Sequence, residues 1–194
     1  MHMHRPIRPI GEQAQLLEYI ETIDYTSDPV QVVPPDQARA IVDSLGWPHE
    51  PGLHILACRL NPGEFSAIHE DRSSDGAHLI RWSFNIPIKD CWGTWMEWFV
   101  PISMDPEHFY EIGNPGDMAP VPALHKANAR LFARSKGCET AYVARSDQWH
   151  RVVNLTDRVS WCVSVRYYPL SSERWDLVSQ QVPWLDAIQK TGRP

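Results

Sequence analysis

From residue 53 onward apolar side chains recur at every second position, and no other feature narrows the possible folds so much. The pattern is cleanest over residues 80–88. There Ile80, Trp82, Phe84, Ile86 and Ile88 fall on one face, and Arg81, Ser83 and Asn85 on the other, as the alternation of a strand demands. Further strands are expected at 53–60, 65–71, 95–100, 130–133, 140–144 and 159–168, with 148–154 carrying His150. Asn61-Pro62-Gly63 and the polar loop 72–76 are turn signals between them. About eight short strands at hairpin-like spacing predict a mainly β, double-sheet jelly roll.

Helical spacing is confined to the flanks. Leu16, Leu17, Ile20 and Ile23 predict an amphipathic helix over 11–24. After Pro34-Pro35, Asp36 is expected to cap a second helix over 37–45, ended by Gly46. A third is expected at 172–180. The chain therefore reads as one domain, 1–194: a helical flank at 1–50, a β-barrel core at 51–169 and a helical tail at 170–194. The segment 101–122 is rich in Pro, Gly and Asp and too long for an ordinary connection. Its length marks it as a functional lid or a poorly ordered, irregular excursion.

Composition limits the functional classes. A net charge of −6 argues against broad binding to nucleic acid or anionic membranes, though not against a local basic groove. No apolar run is long enough to span a bilayer, and the first residues lack the apolar core of a signal peptide, so a cytoplasmic protein is expected. Cys58, Cys91, Cys138 and Cys162 form no Cys-x-x-Cys pair and read as free thiols. Nine tryptophans and 17 prolines favour a β-rich fold with irregular connections over a helical bundle.

The chemistry gathers around residues 61–71, a turn followed by an extended run ending in His69-Glu70-Asp71. On a strand His69 and Asp71 share a face, with Cα atoms roughly 6.6 Å apart, while Glu70 points away. An imidazole and a carboxylate so placed are two-thirds of the facial triad of non-haem Fe(II) oxygenases. The third ligand must come from later in the chain, and His150 is the candidate; His78 competes by its closeness in sequence. Arg158 and Ser160 lie two apart at the start of the last strong strand, where an arginine fork and a hydroxyl on one face suit the end of a small dicarboxylate. Arg166 shares their face, but eight residues of strand put it roughly 26 Å from Arg158. The two cannot grip one small molecule, and Arg166 is assigned a surface or structural charge.

Taken together, His69-x-Asp71, His150 and Arg158-x-Ser160 resemble the signature of the Fe(II)- and 2-oxoglutarate-dependent oxygenases, over about residues 61–168. The segment Arg81-Trp-Ser-Phe-Asn-Ile-Pro-Ile88, with Glu97-Trp98-Phe99, is similar to a bacterial and phage branch of small oxygenases and loosely to the aspartyl/asparaginyl hydroxylases. The resemblance implies a double-stranded β-helix, a cupin-like jelly roll. It implies Fe(II) held by His69, Asp71 and His150, and 2-oxoglutarate held by Arg158 and Ser160, with Arg81 as a second carboxylate contact. With O2 as the other cosubstrate, such a protein hydroxylates its substrate and releases succinate and CO2.

Plainer readings stand beside this one. Arg158 can be a surface partner of Asp157, and Arg81, Ser83 and Asn85 the solvent face of a strand. Trp92, Trp95 and Trp98 can be core or a substrate-facing wall. The spacing of Gly63 and His69, and of His150 and Asn154, partly fits the motifs of cupin metalloproteins that use no 2-oxoglutarate. A small-molecule or peptide-like substrate is expected, with specificity coming from 101–122.

Overall fold

The computed structural model describes residues 4–6, 20–23, 30–44, 53–113, 116, 118–136 and 141–167. The helices expected at 11–24 and 172–180 fall largely or wholly outside these residues. Among the described residues the strands are β1 (His4–Pro6), β2 (Val30–Val32), β3 (Leu53–Leu60), β4 (Ile68–His69), β5 (Trp82–Lys89) and β6 (Thr94–Pro101). They continue with β7 (Phe109–Ile112), β8 (Val121–Leu124), β9 (Ala129–Lys136), β10 (Tyr142–Arg145), β11 (His150–Asn154) and β12 (Ser160–Tyr167); the helix is α1 (Pro35–Ser44).

The strands form two six-stranded sheets, ordered β1-β10-β5-β12-β3-β2 and β7-β8-β4-β11-β6-β9, with every pairing antiparallel. This is the double-sheet β architecture that the period-two pattern predicts, with the cupin-like form that the resemblance implies. The first fifty residues are more than a helical flank, since β1 and β2 form the two edges of the first sheet.

The first sheet is buried on both faces. Trp82, Phe84 and Ile86 of β5, Val163 and Val165 of β12, and Ile55 and Ala57 of β3 pack outward against Ile41 and Val42 of α1 and against Ile20. Each such side chain, fully withdrawn from water, contributes about 1.5–3 kcal/mol. α1 begins two residues earlier than the sequence implies. Ala38 N–H donates to Pro34 O, so Asp36 is no cap but sits in the first turn, where its charge favours the helix dipole. The opposite face of the same strands carries Ser83, Asn85 and Pro87 from β5, Ser160, Cys162, Ser164 and Arg166 from β12, and Leu56, Cys58 and Leu60 from β3. These residues wall a cavity of about 270 Å³ between the sheets.

One polar knot fixes the register. The side chain of Asn154, wholly buried, donates to the carbonyls of Leu60, Asn61 and Arg158, and accepts from the Thr156 N–H and hydroxyl. Its backbone O accepts from Gly63 N–H, and its backbone N–H donates to Glu64 O. Gly63 adopts φ +74°, a conformation that favours glycine, and Glu64 closes the turn by accepting from Asn61 N–H. The turn is thus tied to the end of β11, which sets His69 directly opposite His150.

The segment 101–122 is not an irregular excursion throughout. It contains β7 and the start of β8, which form one edge of the second sheet, and Ile112 and Gly113 reach the cavity wall.

Candidate metal centre

His69 from β4, Asp71 two residues on and His150 from β11 offer ligand atoms that all lie within 4.8 Å of one another. His69 Nε2 is 3.4 Å and His150 Nε2 3.9 Å from the same atom, Asp71 Oδ1. The other ring nitrogens face away from the cluster, His69 Nδ1 being 2.9 Å from Ala67 O and His150 Nδ1 2.8 Å from Gln148 O. A carbonyl oxygen only accepts, so each Nδ1 donates to it, which leaves Nε2 of each ring as the atom facing Asp71 and able to meet a metal. That is the arrangement by which outer partners orient metal-binding imidazoles.

The electrostatics agree with this geometry. Burial alone would raise the Asp71 carboxyl, but neighbouring positive charge, Arg166 foremost, more than offsets it and holds it below the usual carboxylate range. Burial lowers His150 to about 4 despite the nearby Asp71, so its ring is neutral at pH 7. Both carboxylate oxygens of Asp71 are buried without a hydrogen bond. Arg166 Nη1 stands 2.9 Å from Oδ1, an ion-pair contact outside hydrogen-bond geometry. A neutral imidazole, a second imidazole and an under-satisfied carboxylate, converging beside a cavity, fit a divalent transition metal. The donor set matches the 2-His-1-carboxylate triad of non-haem iron.

The strand argument for Glu70 holds, since it turns away and pairs with Arg72 at 3.2 Å. His78 is exposed and outside the cluster, so it does not compete for the metal.

The structure divides the expected cosubstrate residues. Ser160 lines the cavity. Arg158 does not: its side chain is 66% exposed and faces Asp90 at 3.5 Å. β12 starts only at Ser160, and Arg158 belongs to the preceding turn, where its carbonyl accepts from Asn154 and Thr156 and its N–H donates to the Thr156 hydroxyl. The period-two rule therefore does not extend back to it. Arg81 also stands just before its strand; its guanidinium lies 5.8 Å from the Trp82 ring centroid and is not part of the cavity wall.

Arg166, expected as a surface or structural charge, lines the cavity beside Asp71, with Nε donating to the Ser164 hydroxyl. Of the two arginines, Arg166 reaches the cavity and Arg158 does not. Counting inward by twos from Ser160 through Cys162 and Ser164 leads to Arg166, and that signal was available in the sequence.

The remaining wall is largely apolar. Leu56, Leu60, Met96 and Val152 line it together with three thiols, Cys58, Cys91 and Cys162. Burial pushes Cys91 up to about 11 and Cys162 higher than an ordinary thiol, so both stay protonated and behave as small apolar groups. The tryptophans separate by face. Trp98 is fully buried, its indole N–H donating to Arg145 O, whereas Trp92 is exposed. None of the three borders the cavity.

No protein-family model matches the chain, and no curated protein matches it. Solved structures give distant likenesses. A prolyl-4-hydroxylase from Pseudomonas putida aligns at 14% identity over 86% of this chain and 85% of that one, with a TM-score of 0.44. Apo HygX from Streptomyces hygroscopicus aligns at 9% identity over 88% of each chain, also at 0.44. A cupin 2 domain-containing protein from Halorhodospira halophila aligns at 7% identity over 100% of this chain and 96% of that one, at 0.36. At these scores the likenesses carry no weight for function. The fold and its triad, a cupin-like double-stranded β architecture bearing His69, Asp71 and His150, are consistent with the Fe(II)/2-oxoglutarate oxygenase superfamily.

Proposed function

We propose that the protein is an Fe(II)- and 2-oxoglutarate-dependent oxygenase that hydroxylates a small-molecule or peptide-like substrate. The observation that carries this reading is the convergence of two imidazole Nε2 atoms and a buried, unbonded carboxylate on one cavity, with an arginine beside them. His69, Asp71 and His150 would hold the iron. Bound there, the metal supplies the oxidative chemistry, coupling O2 and the decarboxylation of 2-oxoglutarate to hydroxylation, with release of succinate and CO2.

The chain's own residues position and shield. The carbonyls of Ala67 and Gln148 fix the tautomers and ring angles of the two histidines. Arg166 supplies the positive charge that a carboxylate meets on entering beside Asp71, and Ser83, Asn85, Ser160 and Ser164 offer hydrogen bonds to its other end. The apolar and thiol lining excludes water from the reacting groups. In this reading Arg166, not Arg158, anchors the cosubstrate. The sequence likeness over 81–88 and 97–99 favours the branch of small bacterial and phage oxygenases.

One observation favours a second reading, a metal-dependent cupin enzyme that uses no 2-oxoglutarate. The cavity's arginine stands at the triad and not at the far end, where the second carboxylate of a chelating 2-oxo acid would lie. Anaerobic titration separates the two. Fe(II) with 2-oxoglutarate should give a visible metal-to-ligand charge-transfer band; iron binding without that band would favour the second reading.

A further inference from the structure

The outer face of the second sheet, beside the cavity rim, gathers more positive charge than it neutralises. Lys126 and Arg151 both stand over the ring of Phe99, at 4.4 and 5.4 Å from its centroid. Glu97, a buried acid, serves two arginines at once, with Arg134 Nε at 3.2 Å and Arg151 Nε at 2.8 Å. Three cations thus share one carboxylate, and among the described residues Lys126 makes no ion pair.

Holding like charges together costs stability unless an anion completes the set. Burial, and next the charge of Arg151, lower the Lys126 ammonium, and the charge of Glu97 offsets them only in part. The face is also tied to the cavity. The Arg151 guanidinium lies 5.2 Å from the ring centroid of Phe65, and Phe65 is exposed while bordering the cavity. Arg151 itself follows His150 directly, its side chain on the opposite face of β11. Among the described residues the cavity wall itself carries no acid and is mostly apolar.

We infer that Lys126 and Arg151 form an oxyanion site at the cavity rim, which holds a phosphate or carboxylate group of the substrate while its less polar part passes Phe65 toward the triad. The assignment of the anion to the substrate rests on the oxygenase reading. A small anionic molecule fits better than a nucleic acid, because the chain as a whole carries a charge of −6 and the cationic patch is short.

The test is calorimetric titration of the full chain in low-chloride buffer, with inorganic phosphate and with acetate as separate probes. Lys126→Met is the primary variant, since Lys126 lies in an exposed turn and leaves the Glu97 pairs in place. Arg151→Lys is the second, keeping the charge but not the fork. The wild type should bind one or both probes, phosphate alone marking a phosphorylated substrate and acetate a carboxylated one. Lys126→Met should weaken binding on the order of tenfold and Arg151→Lys by less. Wild-type binding of neither probe, or equal affinity in Lys126→Met, overturns the site. The charge-transfer band serves as an independent readout. It should be unchanged in Lys126→Met, and a wild type that binds phosphate but gives no band would keep the anion site while overturning its assignment to an oxygenase substrate.

Discussion

Replacing Arg166 with methionine removes a charge while keeping most of the side-chain volume, and the structure sets the size of the effect. The Asp71 side chain is 1% exposed and has no hydrogen bond; Arg166 Nη1, at 2.9 Å from Oδ1, is its ion-pair partner outside the histidines. Removing one member of a buried pair costs about 3–5 kcal/mol, because the other charge is left uncompensated. The Arg166 side chain is 17% exposed, so the lower end applies. A loss of about 3 kcal/mol corresponds to a fall of about 6–12 °C in Tm for a chain of this size. A divalent ion at the triad would supply the missing positive charge. Saturating Mn(II) should therefore recover most of the loss, and the metal-induced gain should be larger in the variant than in the wild type. Urea unfolding followed by circular dichroism, with and without Mn(II), measures both. Metal-free stability within about 0.5 kcal/mol of wild type, or a loss that Mn(II) leaves untouched, would refute the reasoning.

Acid should act on the same centre in two steps. His150 is lowered from 6.5 to about 4 in the folded protein, so the unfolded chain binds more protons between those values. Metal-free stability should be flat above pH 6.5 and decline by at most ~1.4 kcal/mol per pH unit as pH falls from 6.5 toward 4. The depressed Asp71 should extend the loss below pH 3.8, and a stability flat from pH 7 to 4.5 would contradict the burial of a neutral His150. Asn154→Ala should cost at least about 2 kcal/mol, because it orphans buried carbonyls and the Thr156 N–H, and should also weaken metal binding by loosening the register of β11. Arg158→Ala should change stability by less than about 0.5 kcal/mol and leave 2-oxoglutarate affinity unaltered, since its side chain is exposed and its contact with Asp90 is long; a clear loss of affinity would restore it as an anchor.

Much of this architecture is legible in the sequence because alternation is a local property. β3 runs over Leu53–Leu60 as its pattern predicts, and the two-residue spacing of His69 and Asp71 survives although β4 itself is only Ile68–His69. Strand ends are less legible, and the errors gather there. Arg158 and Ser160 have strand-like spacing, but the hydroxyl of Thr156 and the amide of Asn154 hold the chain in a turn up to Arg158. Ser83 and Asn85 were ambiguous because a polar strand face can meet water or line a cavity; here it lines the cavity. β1 and β2 have three residues each, too few for a period to show. β7 and β8 were hidden in a Pro- and Gly-rich stretch: they have four residues each, too few for a period to show, and Pro122 stands within β8, where a proline argues against a strand. The cation cluster around Glu97 depends on the pairing of β6 with β9 and β11, which no single stretch of sequence reveals.

The central claim is that His69, Asp71 and His150 together hold one divalent ion. Anaerobic equilibrium titration with Fe(II), or with Mn(II) followed by electron paramagnetic resonance, tests it directly in the wild type and in His150→Ala. The wild type should bind one ion per chain, and His150→Ala should lose stoichiometric binding while remaining folded by circular dichroism. One tightly bound ion per chain in a folded His150→Ala protein would contradict the assignment of the triad.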